Sequence, residues 1–338
     1  MRARRWVGWG VVSIVVLGSV GALAVGDYVY RTGTSVPCAI NEDDLENSPA
    51  QFFTPEEGPF PGEGWTQWVG YDLSEWWIPN IPVETVTIPV AENVTLEAWW
   101  IEASFPNSEE TVIVTHGYGT SRRDYNALLP ASMLAQAGFN VLLVDQRDTG
   151  NSTCVDGRHS AGQDESDDFA EVAEWLVQEK AISPDKIGMF GVSGGAIATA
   201  ILPAKTDNVA AFALEAPIFD FAETAEREVV FQGFPAFLWQ LADAAARLRG
   251  VNLNETPIPV GIEAAGDRPI LLLHGTDDQR LAYEGAVKFA DYAESVGVDV
   301  TLETFEGADH TEGMLTETER YRDALVDFFT ENLGDPQS

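Results

Sequence analysis

The sequence predicts an α/β fold: a doubly wound, mostly parallel sheet of eight strands, covered by helices on both faces. Two observations predict it. Short apolar runs alternate along the chain with amphipathic stretches of helical periodicity. The regular part also begins with two segments of alternating polarity on either side of a turn, which is typical of an antiparallel hairpin. Strands and helices in strict succession form crossover units, and such units build parallel sheets.

The predicted strands are short. Val83–Ile88 and Val94–Trp100 form the hairpin. The other predicted strands are Thr111–Thr115, Asn140–Val144, Lys186–Phe190, Val209–Leu214, Pro269–Leu273 and Val300–Phe305. Helices are expected at Arg123–Ala137, Asp167–Gln178, Gly195–Ala204, Ala282–Val296 and Thr316–Asn332. In a parallel sheet the chemistry lies at the carboxyl ends of the strands, so the residues that follow each apolar run are the candidates for function.

A longer connection, Ala216–Asp267, carries two more helical patterns, at Ala222–Phe231 and Phe234–Leu248. We interpret this connection as a small helical cap beside the site; ordinary surface helices are the alternative. Its apolar side chains either line an acyl pocket or belong to the core.

The N-terminal sequence pattern predicts a transmembrane helix. An uncharged stretch, Trp6–Gly26, follows an arginine-rich start and ends at Asp27. As a helix rising ~1.5 Å per residue it would be roughly 30 Å long, about the thickness of a bilayer core. Basic residues before the span place the N-terminus in the cytoplasm and the rest outside. Ala22-Leu23-Ala24 also fits a cleavage site, so secretion after signal cleavage is the alternative; a buried soluble helix is a third interpretation.

We therefore divide the chain into three parts. Residues 1–26 are a membrane anchor or signal segment, residues 27–82 an acidic linker and surface wrap, and residues 83–335 the α/β domain with the cap at about 216–267. The linker ends in a tryptophan-rich patch. We expect this patch to pack against the domain, with contact to a membrane interface as the alternative.

The formal charge of −35 excludes one class of partner. Such a surface repels phosphate backbones, so we expect no nucleic-acid binding. Dense carboxylates suit a protein that faces high salt, and they equally suit simple solubility; the composition leaves both open.

Cys38 and Cys154 are the only cysteines. In an exported protein they would pair, whereas in the cytosol they would be separate thiols, and the sequence leaves this open. No His and Cys residues are spaced as metal ligands, so we expect neither a metal nor a cofactor.

The strongest chemical signal is Gly191-Val192-Ser193-Gly194-Gly195, a G-x-S-x-G motif between a predicted strand and a predicted helix. A nucleophile at so tight a corner sits in a strained backbone conformation, and its neighbours must lack a Cβ. The amides at the start of the following helix favour negative charge that develops there. We therefore predict that Ser193 is a nucleophile.

A serine nucleophile needs an imidazole base and a carboxylate that orients the imidazole. In this fold the acid should follow the serine along the chain, and the histidine should follow the acid. His310 stands after the last predicted strand and before the terminal helix. Asp277 and Asp278 both follow the preceding strand, and position alone does not choose between them. His116 and His274 sit in His-Gly pairs, which more often shape turns.

An oxyanion hole needs two backbone N–H groups. One should belong to Gly194, directly after the nucleophile. The other should come from His116-Gly117-Tyr118-Gly119, the loop after the Thr111–Thr115 strand, and the amide of Tyr118 is the candidate. Glycines in this loop let the backbone approach a substrate oxygen.

From about Asp72 to Leu333 the chain resembles bacterial and archaeal α/β-hydrolases with an N-terminal membrane helix, in the broad esterase and S9-peptidase-like group. The similar motifs are His116-Gly117-Tyr118-Gly119, Asp145-Gln146-Arg147-Asp148-Thr149-Gly150-Asn151-Ser152, the Ser193 corner, His274-Gly275-x-x-Asp278 and Gly307-Ala308-x-His310. The family pattern H-G-x-x-D implies that Asp278 is the catalytic acid. Three residues depart from the family pattern: Gly194, Asp148 and Asp309.

Together the residues predict a serine hydrolase that cleaves a small-molecule carboxylic ester, with Ser193, Asp278 and His310 as catalytic residues and Tyr118 and Gly194 as the oxyanion hole. A peptidase or a thioesterase is the alternative among enzymes. A binding protein that keeps the fold without turnover is the alternative from another class.

Overall fold

The computed structural model describes residues 21–55, 68–102 and 108–338, and their centre is an eight-stranded sheet in the order β1-β2-β4-β3-β5-β6-β7-β8. The strands are β1 Val83–Ala91, β2 Val94–Ile101, β3 Thr111–Thr115, β4 Asn140–Val144, β5 Ile187–Val192, β6 Ala211–Glu215, β7 Ile270–Gly275 and β8 Val300–Phe305. β2 pairs antiparallel with β1 and with β4, and all other neighbours are parallel. The predicted α/β class, the hairpin and the mostly parallel sheet are confirmed.

Helices cover both faces of the sheet. The described part of the first helix, α1, spans residues 21–33. The others are α2 Tyr125–Ala137, α3 Gln163–Glu179, α4 Gly194–Ile201, α5 Phe221–Phe231, α6 Leu238–Leu248, α7 Ile258–Ala265, α8 Tyr283–Ser295, α9 Gly313–Thr316 and α10 Thr318–Leu333. One apolar cluster contains α2 and α10, and another contains α3, α4, α7 and α8. The sheet is therefore buried on both sides, as continuous apolar strands require.

Helix boundaries differ from the predicted ones where local chemistry overrides periodicity. α3 begins at Gln163, earlier than expected, because acidic residues in its first turn (Asp164 and Glu165) favour a helix N-terminus. α6 begins at Leu238 rather than at Phe234, because Pro235 disfavours helical backbone at the residue before it. The helix α7 was not predicted.

Most of the predicted membrane segment, up to residue 20, lies outside the described residues. Of the helices within the described ranges, none combines the length and the apolar character that crossing a bilayer demands. α1 lies against α6: a Cβ at Gly26 would come 2.2 Å from the carbonyl oxygen of Leu241 on that helix. The ring of Tyr30 is buried with Ala242 and Ala246 of the same helix.

The segment after α1 wraps the domain. Phe52 and Trp76 are buried in the same cluster as α2 and α10. Cys38 and Cys154 form a disulfide with their Cα atoms 5.3 Å apart, which ties the wrap to the loop after β4. Asp148, one of the departures from the family pattern, organises that loop, since its Oδ1 accepts hydrogen bonds from the backbone N–H groups of Val155, Asp156 and Gly157.

Candidate active site

Ser193 lies at the sharp corner between β5 and α4. Its backbone has φ 50° and ψ −109°, a conformation that residues with a side chain rarely adopt. The flanking glycines make the corner possible: a Cβ on Gly191 would come 2.5 Å from the Gly195 carbonyl oxygen, and one on Gly195 equally close to that of His116. The N–H of Ser193 donates to the carbonyl of Glu215, 2.8 Å away, which fixes the corner to β6.

The structure brings Ser193, His310 and Asp278 into one hydrogen-bonded line. His310 Nε2 lies 3.1 Å from Ser193 Oγ, and His310 Nδ1 lies 2.8 Å from Asp278 Oδ2. Asp277, the competing acid, is exposed, whereas Asp278 is buried. The geometry is that of a nucleophile, a base and an orienting carboxylate.

Asp278 is held in place from several sides. Its Oδ1 accepts hydrogen bonds from the backbone N–H groups of Arg280 and Leu281, at 2.8 and 2.7 Å. Nε2 of His274 lies 3.3 Å from Asp278 Oδ2 and 2.8 Å from the Leu281 carbonyl. Burial alone would raise the pKa of Asp278, but the imidazoles of His310 and His274 outweigh it and hold that pKa well below its usual range. The carboxylate therefore stays ionised at neutral pH.

The loop that carries His310 is anchored by two residues that the sequence did not single out for this role. The indole Nε1 of Trp68 donates to the His310 carbonyl at 2.8 Å. Gln279, the neighbour of Asp278, donates through its backbone N–H and its side chain to the carboxylate of Asp309, at 2.9 and 2.6 Å. Asp309 thus joins the acid loop to the histidine loop, which explains a carboxylate where the family often has glycine.

The two candidate oxyanion donors face each other. A Cβ on Gly194 would come 2.8 Å from the backbone nitrogen of Tyr118 and 2.9 Å from its Cβ. Only a residue without a side chain fits so close an approach. Within the described ranges, neither the Tyr118 nor the Gly194 N–H donates a hydrogen bond to another group. Two such N–H groups beside a serine hydroxyl are the kind of donors that an oxyanion hole requires.

The side chain of Tyr118 is tied to the wrap. Its hydroxyl lies 2.8 Å from the Ser35 carbonyl oxygen and 3.0 Å from that of Gly33. The ring also packs edge-on against His159, with the centroids 5.3 Å apart. Burial raises the pKa of Tyr118 well above its usual range, so the hydroxyl remains a donor. The position of the loop after β3 therefore depends on contacts with the end of α1 and the residues that follow it.

The buried imidazole of His116 shapes the same loop. Its Nε2 accepts from the backbone N–H of Gln146 at 3.1 Å, and its Nδ1 lies 2.8 Å from the Gly117 carbonyl. Burial lowers the pKa of His116 to about 4, so the ring is neutral at pH 7. It holds a turn, as the His-Gly pair indicated.

Glu215, at the end of β6, is a buried acid beneath the nucleophile that sequence reasoning missed. It is 1% exposed, and its carbonyl is the one that accepts from Ser193. Burial, together with the Asp278 carboxylate nearby, raises the pKa of Glu215 well above its usual range. The raised pKa favours the protonated, neutral side chain over a second negative charge beside Asp278.

A cleft opens between the cap and the acid loop. α5 contributes Arg227, Val230 and Phe231 to its walls, and the loop after β7 contributes Gln279 and Arg280. Arg280 Nη2 lies 3.7 Å from Glu228 of α5, so an ion pair joins the cap to the residues beside Asp278. The cleft thus lies beside the loop that carries Asp278, and Val230 and Phe231 are the apolar residues of its walls.

One cluster within the described ranges has side chains close enough to share a metal ion: Cys38, Asp148 and Cys154. Both sulfurs are in the disulfide, and Asp148 already accepts three backbone hydrogen bonds. Neither sulfur is a thiolate, so this cluster lacks the ligands of a metal site.

The sheet order, the strand-to-helix corner at Ser193 and the placement of Asp278 and His310 after β7 and β8 define an α/β-hydrolase. The chain belongs to the prolyl oligopeptidase family, whose family model matches residues 127–336.

Two curated relatives have similar sequences. Human protein ABHD12B is 27% identical over 201 residues, which is 57% of this chain and 52% of the relative. The lysophosphatidylserine lipase ABHD12 of Danio rerio is 26% identical over 235 residues, 63% of this chain and 57% of the relative. The chain thus spans about half the length of these relatives.

Solved structures share the fold. A Pyrococcus furiosus esterase superposes with a TM-score of 0.62 and 21% identity, covering 82% of this chain and 100% of the esterase. A Pyrococcus horikoshii acylaminoacyl peptidase has a TM-score of 0.59 and 16% identity, covering 75% of this chain and 42% of the peptidase. At this identity the likeness concerns the fold alone, and it includes both esterases and peptidases.

Proposed function

We propose that the protein is a serine hydrolase that cleaves carboxylic esters through an acyl-enzyme, with Ser193 as nucleophile, His310 as base and Asp278 as the acid that orients His310. The observation that carries this proposal is the hydrogen-bonded line from Ser193 Oγ through His310 to Asp278, with separations of 3.1 and 2.8 Å. Such a line lets an otherwise weak hydroxyl lose its proton as it attacks.

The reaction follows from the geometry. Ser193 Oγ attacks the ester carbonyl while His310 Nε2 takes its proton, and the tetrahedral oxyanion is bound by the N–H groups of Tyr118 and Gly194. His310 returns the proton to the leaving alcohol, and the C–O bond breaks to give an acyl-serine. Water then attacks this ester with His310 again as base, which releases the carboxylic acid and restores Ser193. Asp278 stabilises the imidazolium in both halves.

Esters are the first choice because two similar proteins bear esterase or lipase names and because apolar cap residues adjoin the cleft. The family supports peptide bonds as a second candidate, since its model is that of the prolyl oligopeptidases. A panel of p-nitrophenyl esters, thioesters and aminoacyl amides separates these substrates. We expect ester cleavage to be fastest; faster amide cleavage would make the protein a peptidase.

A fluorophosphonate probe tests the mechanism directly. The wild-type protein should become labelled on Ser193, and Ser193→Ala should not react, because the probe phosphonylates an activated serine. Ser152, whose hydroxyl donates to the Asp145 carbonyl, provides the matched control: Ser152→Ala should label like wild type. An unlabelled wild-type protein would favour a non-catalytic binding protein on this fold.

A side chain at Gly194 should block the oxyanion pocket. In Gly194→Val the new Cβ would meet the Tyr118 nitrogen at 2.8 Å, so one of the two amides must move. We expect kcat to fall about 100- to 1000-fold, the usual effect of losing one oxyanion donor. Gly285→Val is the control, since a Cβ there would lie 3.8 Å from its nearest neighbour, an ordinary contact away from Ser193. Equal rates for the two variants would argue against this placement.

We also propose that Trp6–Gly26 anchors the chain in a membrane with the hydrolase domain outside the cytoplasm. The arginines before this segment support the orientation. The Cys38–Cys154 disulfide supports an oxidising compartment. The protein should stay with membranes in alkaline carbonate, and the domain should be open to protease from the extracytoplasmic side. A mature N-terminus shortly after Ala24 would instead identify a cleaved signal.

A further inference from the structure

The cap carries an exposed apolar surface. Residues 229–242 contain no charged side chain, in a chain of which 22% is charged. Three members of this run are largely exposed: Val230 at 53%, Phe234 at 53% and Phe237 at 60%. We call these three residues the apolar cap face. Exposed aromatic side chains in such a group mark a contact surface more often than a lone apolar residue does.

The uncharged N-terminal stretch ends close to the apolar cap face. The uncharged stretch finishes at Gly26, and Gly26 touches Leu241 on α6. Phe237 stands four residues before Leu241, about one helical turn or ~5.4 Å along the axis. An ion pair from Asp27 to Arg249, with Nη2 2.5 Å from the carboxylate, holds α1 on the cap. The first charged residue after the apolar segment and the apolar cap face therefore lie close together.

We propose that the apolar cap face inserts into the interface of the bilayer in which Trp6–Gly26 is anchored; this inference rests on the proposed membrane anchoring. A span that ends at Gly26 puts the bilayer surface beside Asp27, and Phe237 lies within reach of it. Apolar side chains at a membrane surface enter the headgroup boundary to a depth of ~5–10 Å. Leu23 and Val25 of α1, both exposed, extend the same apolar contact.

Charge and tethering favour lipid as the occupant. The net charge of −35 opposes attraction to anionic headgroups, so the contact is apolar and should form on zwitterionic lipid. Three side chains bind a surface weakly when free, but a chain already anchored meets the bilayer at a high effective concentration. The uncharged run supplies no charge pairs that would specify a protein partner.

This placement points to the source of the substrate. Val230 belongs both to the apolar cap face and to the wall of the cleft, which reaches Arg280 beside Asp278. Val230 and Phe231 are the apolar members of this wall and its other residues are charged or polar, so the cleft suits a molecule with both an acyl chain and a polar headgroup. The inference deepens the proposed function: the preferred substrate is an amphiphilic ester taken from the membrane.

Nitroxide quenching tests the insertion. The full chain is reconstituted in phosphatidylcholine liposomes after Phe234→Cys or Phe237→Cys and labelling with an environment-sensitive fluorophore; the native cysteines are already paired. Val296→Cys is the control, since Val296 is 41% exposed at the end of α8. Lipids with a nitroxide near the headgroup should quench both cap labels several-fold more than the control label. Equal quenching at all three positions would overturn the inference.

The outcomes separate the two proposals. Flotation with the liposomes reports anchoring, and fluorophosphonate labelling reports catalysis. A chain that floats and is labelled but shows no extra quenching on the cap keeps the proposed function and refutes cap insertion. Extra quenching on the cap together with an unreactive Ser193 would support cap insertion and refute the proposed hydrolase function. Cap insertion is also refuted if a dimer shields the cap labels in the absence of lipid, or if the chain does not float with the liposomes.

Discussion

Alanine at Ser193 and alanine at His310 should each lower kcat for ester hydrolysis by about 10⁴- to 10⁶-fold, and the double variant should be no slower than the slower single variant. The residues act as one unit, because the hydroxyl is reactive only while the imidazole 3.1 Å away takes its proton. The residual rate would come from the oxyanion pocket and substrate binding. Single-turnover and steady-state rates on a p-nitrophenyl ester measure these effects.

The acid offers a matched pair of variants. Asp278→Asn should lower kcat by about 10⁴-fold, since an amide stabilises the wrong tautomer of His310. Asp277→Asn changes the adjacent, exposed carboxylate in the same way and should leave kcat within about twofold of wild type. Additive losses at Ser193 and His310, or equal losses at the two aspartates, would contradict the proposed roles.

Arg122→Met should destabilise the fold by about 3–5 kcal/mol. The Arg122 side chain is 2% exposed and its Nη1 lies 2.5 Å from Asp145 Oδ2, whose side chain is 1% exposed. Its other nitrogen, Nη2, pairs with Glu97. Burial already raises the pKa of Asp145 despite this partner, so loss of the guanidinium leaves a buried carboxylate without its hydrogen-bonded cation.

Thermal unfolding measures this loss. A change of this size should lower Tm by roughly 5–15 °C for a chain of this length. Arg322→Met is the control: its pairs with Glu319 and Asp323 are solvent-exposed, so it should cost at most about 1 kcal/mol. A Tm for Arg122→Met as high as that of the control would show that Asp145 finds other compensation.

Local patterns predicted the sheet because the two hairpin strands alternate in polarity, while β3 to β7 are largely apolar runs that end at turns. The same patterns placed Ser193 and His310 at strand ends, where the structure has them within hydrogen-bond distance. Choice between Asp277 and Asp278 needed either the family pattern or the coordinates, since adjacent residues share their position relative to β7. Periodicity failed for α7, where Pro259 and Gly261 interrupt the helical signal.

Contacts between distant segments could not be predicted in this way. Trp68 donates to the carbonyl of His310, 242 residues further along the chain, and the Tyr118 hydroxyl meets the carbonyl of Ser35. Neither contact leaves a periodic trace, because each depends on how the wrap crosses the finished domain. The burial of Glu215 was missed for a different reason: an acidic residue at a strand end usually faces solvent.

The disulfide between Cys38 and Cys154 has a mechanical consequence. A force that pulls on the start of the chain would reach Cys38 and pass through the sulfur bridge into the loop after β4, which is anchored to the sheet. Residues 39–82 are then bypassed and carry almost none of the load. Peeling of the wrap would stop at Cys38, so the contacts of Phe52 and Trp76 beyond the bridge are shielded from tension at the N-terminus.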